Sequence, residues 1–272
     1  MGVLSVAGVG SPRVDAELVA AHVLGVPRGR LPLAPALTPA QARRFRELIG
    51  QRADRLPLQH LLGTAPFYGL EVAVGPGVFV PRPETELLAE WGLGKLPAGS
   101  ATVVDLCSGS GAIALAVARE GPQARVYAVE RDPAALEWLR RNASGGSIEI
   151  VAGDATDPAV LSNLDGRVDL VLCNPPYVPA GTPVPPEVGR HEAYSAVFAG
   201  TDGLDVIAPL VARVAALLRP DGWFGVEHDD SHADAVPALL RADGRFVEVA
   251  DHRDLAGRPR FATARRLADC MP

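Results

Sequence analysis

The sequence predicts an α/β protein with a doubly wound, mostly parallel sheet, preceded by a small helical domain and a β-hairpin linker. Three observations predict it. From about residue 83 onward, short apolar strand-like runs alternate with helix-period stretches, the pattern of successive βαβ units. Before that, residues 11–56 carry helix start and stop signals and no strand pattern. Between the two, FYGLEVAVGPGVFV (67–80) alternates around the turn pair Pro76-Gly77 and reads as a hairpin. The expected boundaries are 1–63 for the helical domain, 64–80 for the linker and 81–272 for the α/β domain.

Each element has a local cause. Ser11-Pro12 places a capping residue before a proline at the first helical position, and Gly25 ends that helix. Thr38-Pro39-Ala40-Gln41 is a capping box, and Phe45, Leu48 and Ile49 form the apolar face of the helix it opens. ATVVDLC (101–107), RVYAVE (125–130), SIEIVAGD (147–154), VDLVLCN (168–174), WFGVEH (223–228) and RFVEVA (245–250) read as six strands. AIALAVARE, PAALEWLRRNA, LDVIAPLVARVAALL and HADAVPALLRAD read as the helices between them. No internal repeat or low-complexity segment interrupts the pattern.

Composition narrows the class. Hydrophobic residues make up 48% of 272, enough for a sizeable core, and no apolar run is long enough to span a bilayer. MGVLSVAGVG has no basic residue, so it is a poor signal peptide, and Val6 breaks the myristoylation pattern that Gly2 invites. Cys107, Cys173 and Cys270 are far apart, and neither they nor the histidines show metal-ligand spacing. The expectation is a reduced, cytoplasmic protein without a metal. Net charge is −6, but residues 1–60 hold eight arginines against four acids, +4, which leaves −10 on the rest. An acidic body argues against a groove that tracks nucleic-acid phosphates. The basic segment reads as a solvated helix face.

The chemistry sits at strand ends, where ligands of open α/β sheets bind. After the first strand, Gly109 and Gly111 are expected to let backbone approach a ligand and to feed the helix at Ala112. Gly109-Ser-Gly111-Ala-Ile-Ala114 even meets the loose GxGxxG/A dinucleotide pattern. Asp105, however, would repel a pyrophosphate, and suits a ligand that carries an ammonium and a sulfonium. Glu130 closes the second strand, where a carboxylate can accept from two ribose hydroxyls. Asp154 closes the third, where it can accept from an adenine amine or cap its own loop. Asn174-Pro175-Pro176-Tyr177 ends the fourth. Two prolines lack N–H groups and fix φ, so this loop is a stiff presenter of carbonyls beside one carboxamide and one aromatic ring. His191 and Glu192 read as a solvent-facing loop, and His228 as structural.

DLCSGSG, VERDP, GD and NPPY, in that order, resemble the motifs of class I S-adenosylmethionine-dependent methyltransferases, which have a Rossmann-like fold. More narrowly, PLQHLLGTAPFYGLEVAVGPGVFVPRPETELLAE joined to NPPY is similar to the release factor glutamine methyltransferases, the HemK/PrmC family. The likeness runs from about Ser11 to Arg266. It implies S-adenosyl-L-methionine as cofactor, S-adenosyl-L-homocysteine as product, and class I peptide chain release factors as protein substrates. It implies a cofactor site of Asp105, Cys107, Ser108, Gly109, Ser110, Gly111, Glu130, Asp154, Ala155 and Asn174. Asn174, Pro175, Pro176 and Tyr177 would hold the methyl acceptor and carry the chemistry. Phe79, Arg82, Glu84 and Thr85 of FVPRPETE would form a lid over the entering glutamine. Pro83 also reads as the start of a helix, with Glu84 and Glu86 at its positive end.

The departures are Cys107, where the family usually has glycine, RHEAYSAVFAG in place of a Glu-Pro pair, and only ten residues before Ser11, where the family has a further helix. The other readings are a ribosomal-protein glutamine as target, or an exocyclic base amine in nucleic acid. The acidic body and the absence of an added target-recognition domain count against the base amine. A NAD-dependent oxidoreductase is opposed by Asp105 and NPPY, and a silent binding protein by the intact Asn174.

Overall fold

The computed structural model describes residues 2–146 and 148–268. Ser147, the first residue of the expected third strand, and Cys270 lie outside them. Among the described residues no helix is long and apolar enough to cross a membrane.

The N-terminal part contains α1 (Gly2–Val6), α2 (Pro12–Leu24), a 3-10 turn (Arg28–Leu33), α3 (Pro39–Ala53) and α4 (Leu58–Leu62). Gly25 stops α2 in the left-handed region at φ 67°, and Thr38 and Gln41 cap α3 reciprocally. Leu4, Val19, Leu48 and Leu61 build a core of their own. The basic charge here is not simply solvated. Arg52 is buried against Asp15 at 2.7 Å, and Arg52 and Arg55 both grip Glu187 of the α/β body at 2.9 and 2.6 Å. Arginine forks favour such shared carboxylates over open water.

The hairpin forms at a different turn from the expected one. β1 (Thr64–Phe67) and β2 (Leu70–Ala73) pair with Phe67 opposite Leu70, so the turn is Tyr68-Gly69 and not Pro76-Gly77. Both turn residues have positive φ, 47° and 72°, which matches the twist of a two-residue hairpin. Pro76 lies further on, where its carbonyl accepts from Trp138 at 3.2 Å. The segment is also more than a linker. Phe67, Val72, Val74, Val78 and Val80 are buried in the same core as the helices of the α/β body.

Seven strands form the main sheet: β3 (Ala101–Leu106), β4 (Ala124–Glu130), β5 (Ile148–Ala152), β6 (Val168–Cys173), β7 (Leu218–Glu227), β8 (Phe246–Arg253) and β9 (Pro259–Arg266). Their spatial order is β5-β4-β3-β6-β7-β9-β8, with β9 antiparallel to both neighbours. The sequence reading found six of them and missed β9. PRFATARR starts with proline, and five of its eight residues are arginine or alanine, so its pattern is weak. Pairing on both sides makes it a strand, as β-propensity is largely packing context.

α5 (Thr85–Leu93), α6 (Ala112–Glu120) and α7 (Pro133–Asn142) cover one face. The short α8 (Pro186–His191) and α9 (Tyr194–Val197) follow β6, while α10 (Ile207–Leu217) and α11 (Ala235–Asp243) cover the other face. The order of the sheet reverses between β3 and β6, whose register sets Leu106 beside Cys173. The loops after these two strands therefore open side by side at the switch point where such sheets bind ligands.

Candidate active site

A cleft runs along the carboxyl ends of β5, β4, β3 and β6. It brings together Cys107, Ser108, Gly109 and Ser110 with Glu130, Asp154 and Ala155. Asn174, Pro175, Pro176 and Tyr177 line its other end, with Phe79 and Thr85. Four of the expected site residues do not line this cleft themselves. Asp105 and Gly111 lie beneath the loop, and Arg82 and Glu84 line a neighbouring polar cavity.

Asp105 is 1% exposed. Its Oδ2 accepts from the Ser108 hydroxyl and from the Ala114 N–H at 3.1 Å, so it ties the loop to the start of α6. Its Oδ1 is buried with no hydrogen-bond partner among the described residues. Burial pushes the carboxyl up to about 7, against the lowering effect of those two bonds. Such an orphaned acceptor fits a cationic ligand group above it. Gly109, at φ 56°, has nothing within 4 Å of where a Cβ would stand, so backbone is bare toward the cleft. Gly111 serves packing, because a Cβ there would come within 2.6 Å of Leu139. Only the first of the two glycines thus gives a ligand close approach.

Glu130 spans from β4 to the loop after β3. Its Oε2 accepts from Gly109 N–H at 2.8 Å, and its Oε1 from Arg131 and Asp132 N–H at 2.7 Å each. A carboxylate has about four acceptor positions, so three are taken before any ribose arrives. Asp154 accepts from the Thr156 N–H and hydroxyl and pairs with Arg131 at 2.9 Å. The Thr156 bonds lead in holding its pKa below the usual range. It therefore both caps its loop and rims the cleft.

The acceptor end is held from three directions. Asn174 Nδ2 donates to Thr85 Oγ1 at 3.1 Å. Thr85, in the first turn of α5, donates to Glu227 Oε2 at 2.6 Å, and Tyr177 Oη donates to Glu227 Oε1 at 2.8 Å. After NPPY the chain pairs with residues 197–200, through Val178 N–H to Val197 and Ala199 N–H to Val178. Phe79 carries Arg82 over its ring at 4.5 Å, and Arg82 binds both oxygens of Glu192, at 2.7 and 2.8 Å. Glu192 is thus buried and paired, not solvent-facing, because Arg82 supplies its cation. His228 links β7 to β8 through Asp251 at 2.8 Å, a structural role.

A family profile described as the PrmC N-terminal domain matches residues 2–63, and one described as the methyltransferase small domain matches 71–186. The chain is 52% identical to a release factor glutamine methyltransferase of Mycolicibacterium smegmatis, over 97% of this chain and 94% of that protein. The chain belongs to the release factor glutamine methyltransferases. Another member, from Streptomyces coelicolor, is 47% identical over 97% and 94% of the two chains. Among solved structures, a methyltransferase from Pyrococcus furiosus matches with a TM-score of 0.53 at 16% identity, over 74% of this chain and 90% of that one. A ribosomal protein L11 methylase from Lactobacillus delbrueckii subsp. bulgaricus matches at 0.51 and 20%, over 72% and 85%. Both show the methyltransferase fold.

Within this family, Cys107 has a structural meaning. Its φ is 58°, in the left-handed region where glycine is at ease. Two further residues, Glu227 and Arg260, escaped the sequence reading. Glu227 could have been found by the rule applied to Asp105, Glu130 and Asp154, since it too is an acid at the end of a strand. Arg260 could not, because it comes from β9.

Proposed function

We propose that this protein transfers a methyl group from S-adenosyl-L-methionine to the side-chain amide nitrogen of a glutamine in class I peptide chain release factors. Membership of the family over nearly the whole chain carries the reading. The cofactor supplies an electrophilic methyl group on a sulfonium. Asp105, beneath the loop, offers its unpartnered oxygen to a cationic ligand group. Glu130 and Asp154 offer acceptors to ribose and adenine, and Gly109 offers close backbone approach.

An amide nitrogen is a poor nucleophile, because its lone pair is shared with the carbonyl. No strong base is required if the NH₂ group is held and its growing charge is stabilised. Asn174 Oδ1 would accept one N–H and the Pro175 carbonyl the other, leaving the nitrogen lone pair free to take the methyl group. The cofactor would leave as the neutral thioether S-adenosyl-L-homocysteine, and one amide proton would pass to solvent. The two prolines keep those acceptors still. Tyr177 packs on the planar amide, and Phe79 closes the cleft from the lid side. The test is transfer of labelled methyl to a release factor and to its Gln→Ala variant. Label on the intact factor alone supports the reading. Equal label on both overturns it, as does preference for a ribosomal protein or an oligonucleotide.

A further inference from the structure

Glu227 ends β7 at 1% exposure, and the chemistry above makes no use of it. Both of its oxygens are committed, one to Thr85 and one to Tyr177. Arg260 of β9 lies beside it with its Nε buried and unpartnered and its Nη2 on Asp254 at 3.2 Å, and Glu84 is the neighbouring acid. The arrangement has a direction. Burial raises the pKa of the Glu227 carboxyl, while Thr85, Tyr177 and Arg260 favour its ionised form. With both oxygens accepting from hydroxyls, it acts here as an acceptor. The single hydroxyl proton of Thr85 is therefore used toward Glu227, and Thr85 Oγ1 can only accept from its next neighbour. That neighbour, at 3.1 Å, is Asn174, which must turn its NH₂ toward Thr85. The carbonyl oxygen of Asn174 is then left for the cleft.

We propose that Glu227 is a positioning residue that acts through Thr85 to fix which end of the Asn174 carboxamide faces the methyl acceptor. The inference rests on the proposed function for its substrate. Two acceptors side by side, Asn174 Oδ1 and the Pro175 carbonyl, suit a group with two N–H donors. A glutamate at the same place, ionised and acceptor-only, would be repelled by both. Selection of an amide over the matching acid would thus be set three residues deep, by the charge at the end of β7. The Tyr177 bond makes the same carboxylate steady the aromatic wall of the site.

The test uses Thr85→Val, Thr85→Ser, Glu227→Gln and the Thr85→Val/Glu227→Gln double variant in the full chain. Single-turnover methylation of a release factor is read at saturating cofactor, and cofactor affinity by calorimetry. Thr85→Val and Glu227→Gln should each slow transfer about 10-fold or more, with cofactor Kd within about 2-fold. Thr85→Ser, which keeps the hydroxyl, should retain most of the rate. The double variant should be slower than the slower single by no more than about 3-fold, because both break one relay. Multiplied losses, a full rate in Glu227→Gln, or no rescue by serine would overturn the proposal. A second readout needs no protein substrate. In the free enzyme the side-chain amide resonances of Asn174 should shift in Thr85→Val and in Glu227→Gln; unshifted resonances in both overturn the relay whatever the substrate proves to be.

Discussion

Cys107 carries a local backbone cost in the site. A side chain in the left-handed region is about 1–2 kcal/mol less favourable than in the right-handed one, and Cys107 holds φ 58°. Glycine would remove that strain but lose about 0.5–1 kcal/mol of chain entropy. Cys107→Gly is expected to stabilise the fold by up to about 1 kcal/mol, read from denaturant midpoints at constant m. Cys107→Ala keeps the strain and should gain nothing.

Asp105 gives a second prediction at this scale. Its pKa rises on folding from 3.8 to about 7. The folded state thus holds the proton more tightly than the unfolded one. The contribution that favours folding is full below about pH 4 and is lost as pH rises through about 7. The penalty above that pH is on the order of a few kcal/mol. Asp105→Asn should flatten this slope between about pH 4 and 7 relative to wild type. Parallel stability curves for the two proteins would show that Asp105 is ionised throughout.

Between elements, Glu130 is the clamp that joins the end of β4 to the loop after β3. A strand-end carboxylate suits a ribose, but its three backbone bonds give Glu130 a second task. Glu130→Ala removes charge-assisted acceptors and leaves Gly109, Arg131 and Asp132 N–H groups to be satisfied by water. S-adenosylmethionine affinity should fall ten-fold or more on that account, and exchange protection at Gly109 should drop even without ligand. Weaker binding with protection at Gly109 intact would confine Glu130 to the ligand. The hairpin belongs at the same scale. Asn142 of α7 exchanges two hydrogen bonds with Ala73, both 2.9 Å, so β2 is fastened to the body.

For the whole molecule, we propose residue 63 as the boundary that separates two cores. Residues 64–80 are buried with the α/β core, while α1 to α4 have a core of their own. A chain beginning at Gly63 should fold and bind cofactor, yet transfer poorly to an intact release factor. A chain beginning at Val78 would lose β1 and β2 and should be much less stable. Full-rate methylation of the intact factor by the Gly63 chain would show that the helical part has another role. The bridge from Arg52 and Arg55 to Glu187 ties the helical part to the segment after NPPY, so its loss should be felt there first.

Local chemistry was enough to reveal the capped helices, the strand–helix alternation and the acids at strand ends. Caps, periods and prolines act within a few residues, and their signals are written side by side. For the same reason NPPY and the glycine loop could be placed at strand tips before any coordinates. The turn of the hairpin, the strand β9 and the pairing of Glu192 could not. Each depends on a partner far along the chain, such as Arg82 for Glu192, 110 residues away. The relay from Glu227 to Asn174 is the clearest case. Its members are separated in sequence by 142 and 89 residues and meet because β6 pairs with β7 and α5 packs on both. Sequence determined which groups were available; which way each hydrogen bond runs was decided by the sheet order that set an acceptor beneath a hydroxyl and a carboxamide.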